Sequence, residues 1–515
     1  MKHIKKLASL LLALVMVLSL AVTAFADEPT TYSITINNST AGHTYEAYQI
    51  FTGDLATNEA GNKVLSNIVW GSGVSEAGQT ALGDAAAKAE TLKTEADAKA
   101  FAKAVAPYLT TAAGSANTVT DGKYVISGLA AGYYLVKDQD GSLTGDNDSY
   151  TEYIIQVVGN VTATPKSDVP EVQKKVKDIN DSTDTTKTDW QDSADYDIGD
   201  SIPFQLKATL ADNVSSYTTY KVVFHDTLSK GLTYNNDAKV YIDGTETNGF
   251  AVTATVNADG ITLTVSCDDV KALNAVNSSA ITVEYTAKLN ENAVLGSAGN
   301  PNEVYLEYSN NPNKSENGNN ETGETPKDVV IVFTYKTIIN KVDSENAPLT
   351  GAAFKLEKLI KGKDGAAGTW TTVKEFTVDE TTPSFTFSGL DDGQYKLTET
   401  KTPAGYNTID PIYFVIEATH DATADTPALT VLKAYLTDEN GNKKTEVKDG
   451  ETVNIDLGTV DLTAGSITTT VVNKSGSELP STGGIGTTIF YVLGSILVIG
   501  AAVLLVTKKR MSTKG

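Results

Sequence analysis

Over long stretches of this chain apolar and polar side chains alternate one by one, and that period of two fits a half-buried strand far better than a helix. Tyr32–Ile36, Ile281–Leu289 and Phe385–Thr400 all follow it, because successive side chains leave a pleated strand on opposite faces. With 515 residues the chain is too long for one hydrophobic core, so the strands must be shared among about three domains. The expected class is mainly β, as three tandem β-sandwich domains. One segment departs from the pattern. Gly83–Tyr108 is rich in Ala, Lys and Glu, with apolar residues at Leu92, Ala96, Phe101 and Val105, and predicts a helix inserted in the first domain.

Pro-containing polar segments mark the boundaries: Thr164–Pro170, then the Asn- and Gly-rich Asn310–Lys327. They divide the chain at 28–167, 168–328 and 329–476. The single cysteine, Cys267, allows no internal disulfide. It continues the alternating run Ile261, Leu263, Val265 and reads as a small buried hydrophobe.

The two ends read as export and retention signals. Residues 1–26 place Lys2, Lys5 and Lys6 before the apolar run Leu7–Val22 and the small-residue site Ala24-Phe25-Ala26. That is the layout of a secretory signal cut between Ala26 and Asp27. At the other end, 485–506 is an uncharged apolar run long enough to cross a hydrocarbon core of about 30 Å, and 507–515 is a basic tail expected to stay cytoplasmic. All acidic residues lie between these ends, and the formal net charge is −23. Such a surface repels nucleic acid and keeps an extended exported protein soluble.

Immediately before the apolar run, Leu479, Pro480, Ser481, Thr482 and Gly483 spell LPSTG. Pentapeptide, apolar span and basic tail in this order resemble the cell-wall sorting signals of sortase substrates. The resemblance implies cleavage between Thr482 and Gly483 by a sortase cysteine, leaving a thioester that an amine resolves. An amine of the peptidoglycan cross-bridge would give a wall-anchored protein; a lysine of another copy would give a fibre. The segment Tyr153–Lys166 ends Thr164-Pro165-Lys166, where the pilin motif of sortase-assembled backbone pilins ends Tyr-Pro-Lys, with threonine here in place of tyrosine. Proline favours an extended, accessible linker. The opening GHTYEAYQIFTGDL, Gly42–Leu55, looks like the start of that family's first domain. The resemblance implies tandem immunoglobulin-like sandwiches and makes Lys166 the acceptor amine.

The last domain opens with Asn340-Lys341-Val342-Asp343, continues through Pro348–Phe354, and later carries YKLTETKTPAGY, Tyr395–Tyr406. These runs resemble the collagen-adhesin B-type domain and the E-box of pilins. In that family a lysine and an asparagine join through an isopeptide bond assisted by a carboxylate, which implies Lys341, Asn473 and Glu399. Pleat parity agrees: Lys341 shares a face with Ile339, Glu399 with Leu397 and Tyr395, and Asn473 with Val471. The middle domain resembles its pilin counterpart, and the implied set is Lys174, Asn302 and Asp226. Lys174 shares a face with Val172 and Val176, while the rival Lys175 falls on the other. Each link would join a domain's first and last strands. The first domain offers no assignable set.

The expected function is a structural subunit of a surface pilus, anchored to peptidoglycan. Its partners would be pilin-specific and housekeeping sortases, further copies of itself and accessory pilins. The alternative is a monomeric wall-anchored adhesin for a host surface ligand, which needs no acceptor lysine. Conventional catalysis finds no support: the four histidines are scattered, and there is no metal-ligand spacing, phosphate loop or G-x-S-x-G motif. No cofactor is expected.

Overall fold

The computed structural model describes residues 31–476 except 59–60, 144–147, 166–167, 184–188, 316–319, 363–366, 379–380 and 445–457, together with a few residues between 493 and 509. The described part is built of six β-sheets around successive cores.

The first core lies between a three-stranded sheet (Lys123–Leu129, Tyr32–Asn37, Val161–Ala163) and a five-stranded sheet centred on Tyr45–Thr57 and Gly132–Asp138. Alternation separates two packing surfaces on the larger sheet. Tyr134, Val136 and Ile155 face the smaller sheet, whereas Leu135 and Ile154 face the helical layer. That layer is three helices rather than one: Glu76–Leu82, Ala85–Thr91 and Glu95–Val105. Gly83, at φ 87°, closes the first, and Asp84 caps the second by accepting from Ala87 N–H. Thr94 and Asp97 form a capping box that starts the third. The restart resets the helical phase, so Ala98 and Ala102 are buried with Leu92, Phe101 and Val105, and Ala96 is exposed.

The middle core is the largest. A seven-stranded sheet containing Asp328–Phe333, Asn300–Ser309, Val222–Ser229 and Gly260–Cys267 packs on a six-stranded sheet containing Ala280–Leu289, Ser201–Thr209 and Glu171–Val176. Cys267 is buried in it as a free thiol. Asp328–Phe333 pairs with Asn300–Ser309 and carries Val330 and Val332 into this core, so the core changes at Phe333 rather than at 328. One residue later the chain enters Tyr335–Val342, the first strand of the third sandwich.

In that sandwich, Tyr335–Val342 runs parallel to Ser466–Val472 in a four-stranded sheet. Facing it are Thr369–Glu375, Ala353–Ile360, Gly393–Lys401, Ile412–His420 and Leu429–Thr437. Half of the apolar run 485–506 lies outside the described residues; among those described, no helix is long and apolar enough to cross a membrane.

Candidate functional site

In the third sandwich the parallel pairing sets Lys341 opposite Val471, so Asn473, two residues further, emerges on the same inward face. Glu399 reaches them from Gly393–Lys401 in the facing sheet. All three side chains are buried. Lys341 Nζ donates to Asn473 Oδ1 and, at 3.0 Å, to the Val471 carbonyl. Asn473 Nδ2 donates to Glu399 Oε1 at 3.0 Å and Oε2 at 3.2 Å. Thr402 Oγ1, at 3.0 Å, and the Ile409 amide, at 3.3 Å, donate to Glu399 Oε2 and fix the carboxyl. Burial draws the Lys341 ammonium down to about 8 against the opposing pull of Glu399, 3.9 Å away. About a tenth of this amine is therefore a free nucleophile at neutral pH, against well under a thousandth at the ordinary lysine value near 10.4.

The middle sandwich holds a second buried cluster, built differently. Lys174, on Glu171–Val176 of the six-stranded sheet, meets Asp226 and Asn302 from two adjacent strands of the facing sheet. Asn302 lies on Asn300–Ser309, and Asp328–Phe333 follows in the same sheet. This pair therefore does not join the first and last strands, although the third sandwich's pair does. Lys174 Nζ donates to Asp226 Oδ1 and, at 3.2 Å, to the Tyr285 hydroxyl. That hydroxyl donates to Asp226 Oδ2 at 2.5 Å and accepts from Asn302 Nδ2 at 2.8 Å. The Asn302 carbonyl oxygen is buried without a hydrogen-bond partner. Burial lowers Lys174 and raises Asp226, in both cases against the attraction of the other. Both shifts favour the neutral amine and the protonated acid. Lys175 points the other way, half exposed, onto Asp192.

Tyr285 is the residue that sequence reasoning missed. It stands on the inward face with Ile281, Val283, Ala287 and Leu289, and that parity was its signal. In the first sandwich, buried His43 lies 2.7 Å from Asp138 and 3.1 Å from Asp148. Burial alone would lower its pKa, but the two carboxylates win and push it up to about 9. Lys166, Leu479, Pro480, Ser481, Thr482, Gly483, Ala26 and Asp27 lie outside the described residues.

Each cluster combines an amine shifted toward neutrality, a carboxyl and a primary amide in a dry core. That set can form a secondary amide with loss of ammonia. Residues 336–429 match the SpaA-type prealbumin-like fold domain. Residues 198–312 match the Cna-B-like domain of Gram-positive pilin backbone subunit 2, and 471–512 match the LPXTG cell wall anchor motif. The chain therefore carries a segment matching a Gram-positive pilin-backbone domain and one matching a cell wall anchor motif. It is 27% identical over 447 residues to the trypsin-resistant surface T6 protein of Streptococcus pyogenes serotype M6, across 76% of this chain and 77% of that one. The solved structure of the T6 backbone pilin from that serotype, described as modular and three-domain, shares its fold. The TM-score is 0.54 at 18% identity, covering 88% of this chain and all of the other.

Proposed function

We propose that this chain is the structural backbone subunit of a covalent surface pilus. It is a secreted, cell-wall-anchored sortase substrate. Sortase cleaves after Thr482, and the thioester is attacked by the Lys166 amine of another copy. The new amide joins Thr482 to Lys166, and the sortase thiol leaves. Pilin-specific and housekeeping sortases would catalyse polymerisation and final attachment to peptidoglycan, with accessory pilins added to the same fibre. The chain itself is a building block rather than an enzyme.

Each subunit is further joined to itself. In the third sandwich neutral Lys341 attacks the Asn473 side-chain carbonyl carbon. Its Nζ–C bond forms and the C–Nδ2 bond breaks; the proton that Nζ gives up is relayed by Glu399, hydrogen-bonded to Nδ2, onto that nitrogen, which leaves as ammonia. In the middle sandwich Lys174 and Asn302 react likewise. Asp226 is the acid, and Tyr285 connects it to both the amine and the amide. Each reaction is a single turnover.

The observation that carries this reading is the dry cluster in which Lys341, on the first strand, and Asn473, just past the last strand, of the domain nearest the sorting signal meet Glu399. A stapled terminal strand is what a fibre loaded end to end requires. The test is an immunoblot of detergent-boiled cell-wall extracts from cells making wild type or Lys166→Ala. A high-mass ladder that collapses to monomer in the variant is expected. A single wall-linked band in both would sink the polymer reading, and an undiminished ladder would reject Lys166.

A further inference from the structure

Where the middle and third sandwiches meet, the charges do not balance. Asp178, Asp181, Asp195, Asp197 and Asp200 of the middle sandwich gather with Asp391 and Asp392 of the third in overlapping clusters. The described ion pairs set two cations against them. Lys358 Nζ lies 2.5 Å from Asp197, 2.9 Å from Asp391 Oδ2 and 3.7 Å from Asp181. His420 lies 3.6 Å from Asp178 and 3.7 Å from Asp195. Among the described ion pairs the carboxylates of this junction outnumber the cations, and buried charge persists only when paired, protonated or bound to a metal.

The deficit concentrates at one point. One carboxylate oxygen from each of Asp195, Asp391 and Asp392 lies within 4.8 Å of the others. Asp391 Oδ1 is fully buried and accepts no hydrogen bond. The Tyr335 hydroxyl, also fully buried, approaches Asp195 without a well-formed hydrogen bond and lies in the field of the same three carboxylates. Buried oxygens left without good partners among three acids are costly, and a bound cation would relieve that cost.

We infer that Asp195, Asp391 and Asp392, with the Tyr335 hydroxyl, form a site for one hard divalent cation of the calcium class. Oxygen donors alone exclude a soft-metal site, and carboxylates able to bind through one or both oxygens suit the flexible, high-coordination sphere of calcium better than a rigid octahedron. Water would complete the sphere. The placement gives the ion a structural task. Asp195 ends Ser193–Asp195, Asp391 and Asp392 form the turn before Gly393–Lys401, and Tyr335 opens the third sandwich one residue after Thr334. One ion would tie all three across the junction and restrict bending between neighbouring sandwiches.

The test is calorimetric titration of chelator-stripped full chain with calcium chloride near neutral pH and physiological salt, with melting followed in parallel. The expected result is one calcium per chain at submillimolar affinity, as extracellular modules commonly show. Affinity should fall at least tenfold in Asp391→Asn and in Asp195→Asn and stay unchanged in Asp259→Asn, at a remote turn. Circular dichroism verifies that each variant is folded, and Tyr335→Phe, which removes a donor but no charge, should weaken binding severalfold. No saturable binding up to millimolar calcium would overturn the site. So would equal affinity in folded Asp391→Asn and Asp195→Asn, or a junction whose melting depends on pH but not on calcium.

Discussion

Replacing Glu399 by Gln removes an acid from the third sandwich while preserving its volume and an acceptor for the Asn473 amide. Any change therefore reports the chemistry rather than a cavity. Without an acid to protonate the departing nitrogen, Lys341 and Asn473 should stay unjoined. The link closes a loop spanning 132 residues, and chain-entropy arithmetic gives its loss a cost of about 5 kcal/mol. For a domain of this size, roughly 3 °C per kcal/mol turns that into a fall in Tm of ~15 °C for the third sandwich. Intact-mass spectrometry of wild type and variant reads the chemistry, since the variant should be heavier by one ammonia after allowing for the substitution. Calorimetry reads the stability. Under load, the unlinked loop could release ~400 Å of chain at about 3.3 Å per residue, an extension absent from wild type in single-molecule pulling. A variant that still loses ammonia would refute Glu399's role. One that keeps its ammonia yet melts within a few degrees of wild type would refute the stapling argument.

Tyr285→Phe should slow the middle link by roughly a hundredfold or more, the range for losing one proton-transfer partner, and leave the Lys341 link untouched; peptide mapping over time after refolding checks both, and equal middle-link rates would remove Tyr285 from the reaction. Because burial lowers Lys341 to about 8 even beside Glu399, unlinked Glu399→Gln, which lacks that carboxylate's opposing pull, should gain stability from the amine as pH rises from about 8 or below toward its unfolded value near 10.4, where the unfolded chain binds the extra proton. The linked wild type has no such amine and should lack the gain in denaturant titrations. His43 behaves in the opposite sense. Raised to about 9, it contributes on the order of 3 kcal/mol fully below pH about 6.5, and this is lost as pH climbs through 9. His43→Gln should remove that dependence from the first sandwich's melting, and an unchanged profile would contradict the assignment.

Strand parity made much of this molecule readable from its sequence. Lys341, Glu399 and Asn473 sit on long regular strands, so counting in twos from Ile339, Leu397 and Val471 predicts their inward aim. The same count separates buried Lys174 from outward Lys175. It would also have found Tyr285, whose strand alternates without interruption. Parity reaches only along a strand. Which strand lies beside which follows from long-range pairing, so the place of Asp328–Phe333 beyond Asn300–Ser309 was hidden. The helical segment was recognised by composition, but its division rests on caps at Asp84 and Thr94, where local hydrogen bonds override the apolar period. The acidic junction was least accessible of all. Asp195 and Asp391 are far apart in the chain, and each alone reads as a solvated surface charge.

The central claim is a covalent bond between subunits, and the direct measurement is tandem mass spectrometry of peptides released by proteolysis from purified cell-wall material. A branched peptide in which the Thr482 carbonyl is joined to Lys166 Nζ is the predicted product. Thr482 recovered only on the amine of a peptidoglycan cross-bridge, with Lys166 unmodified, would contradict it and leave a singly anchored surface protein.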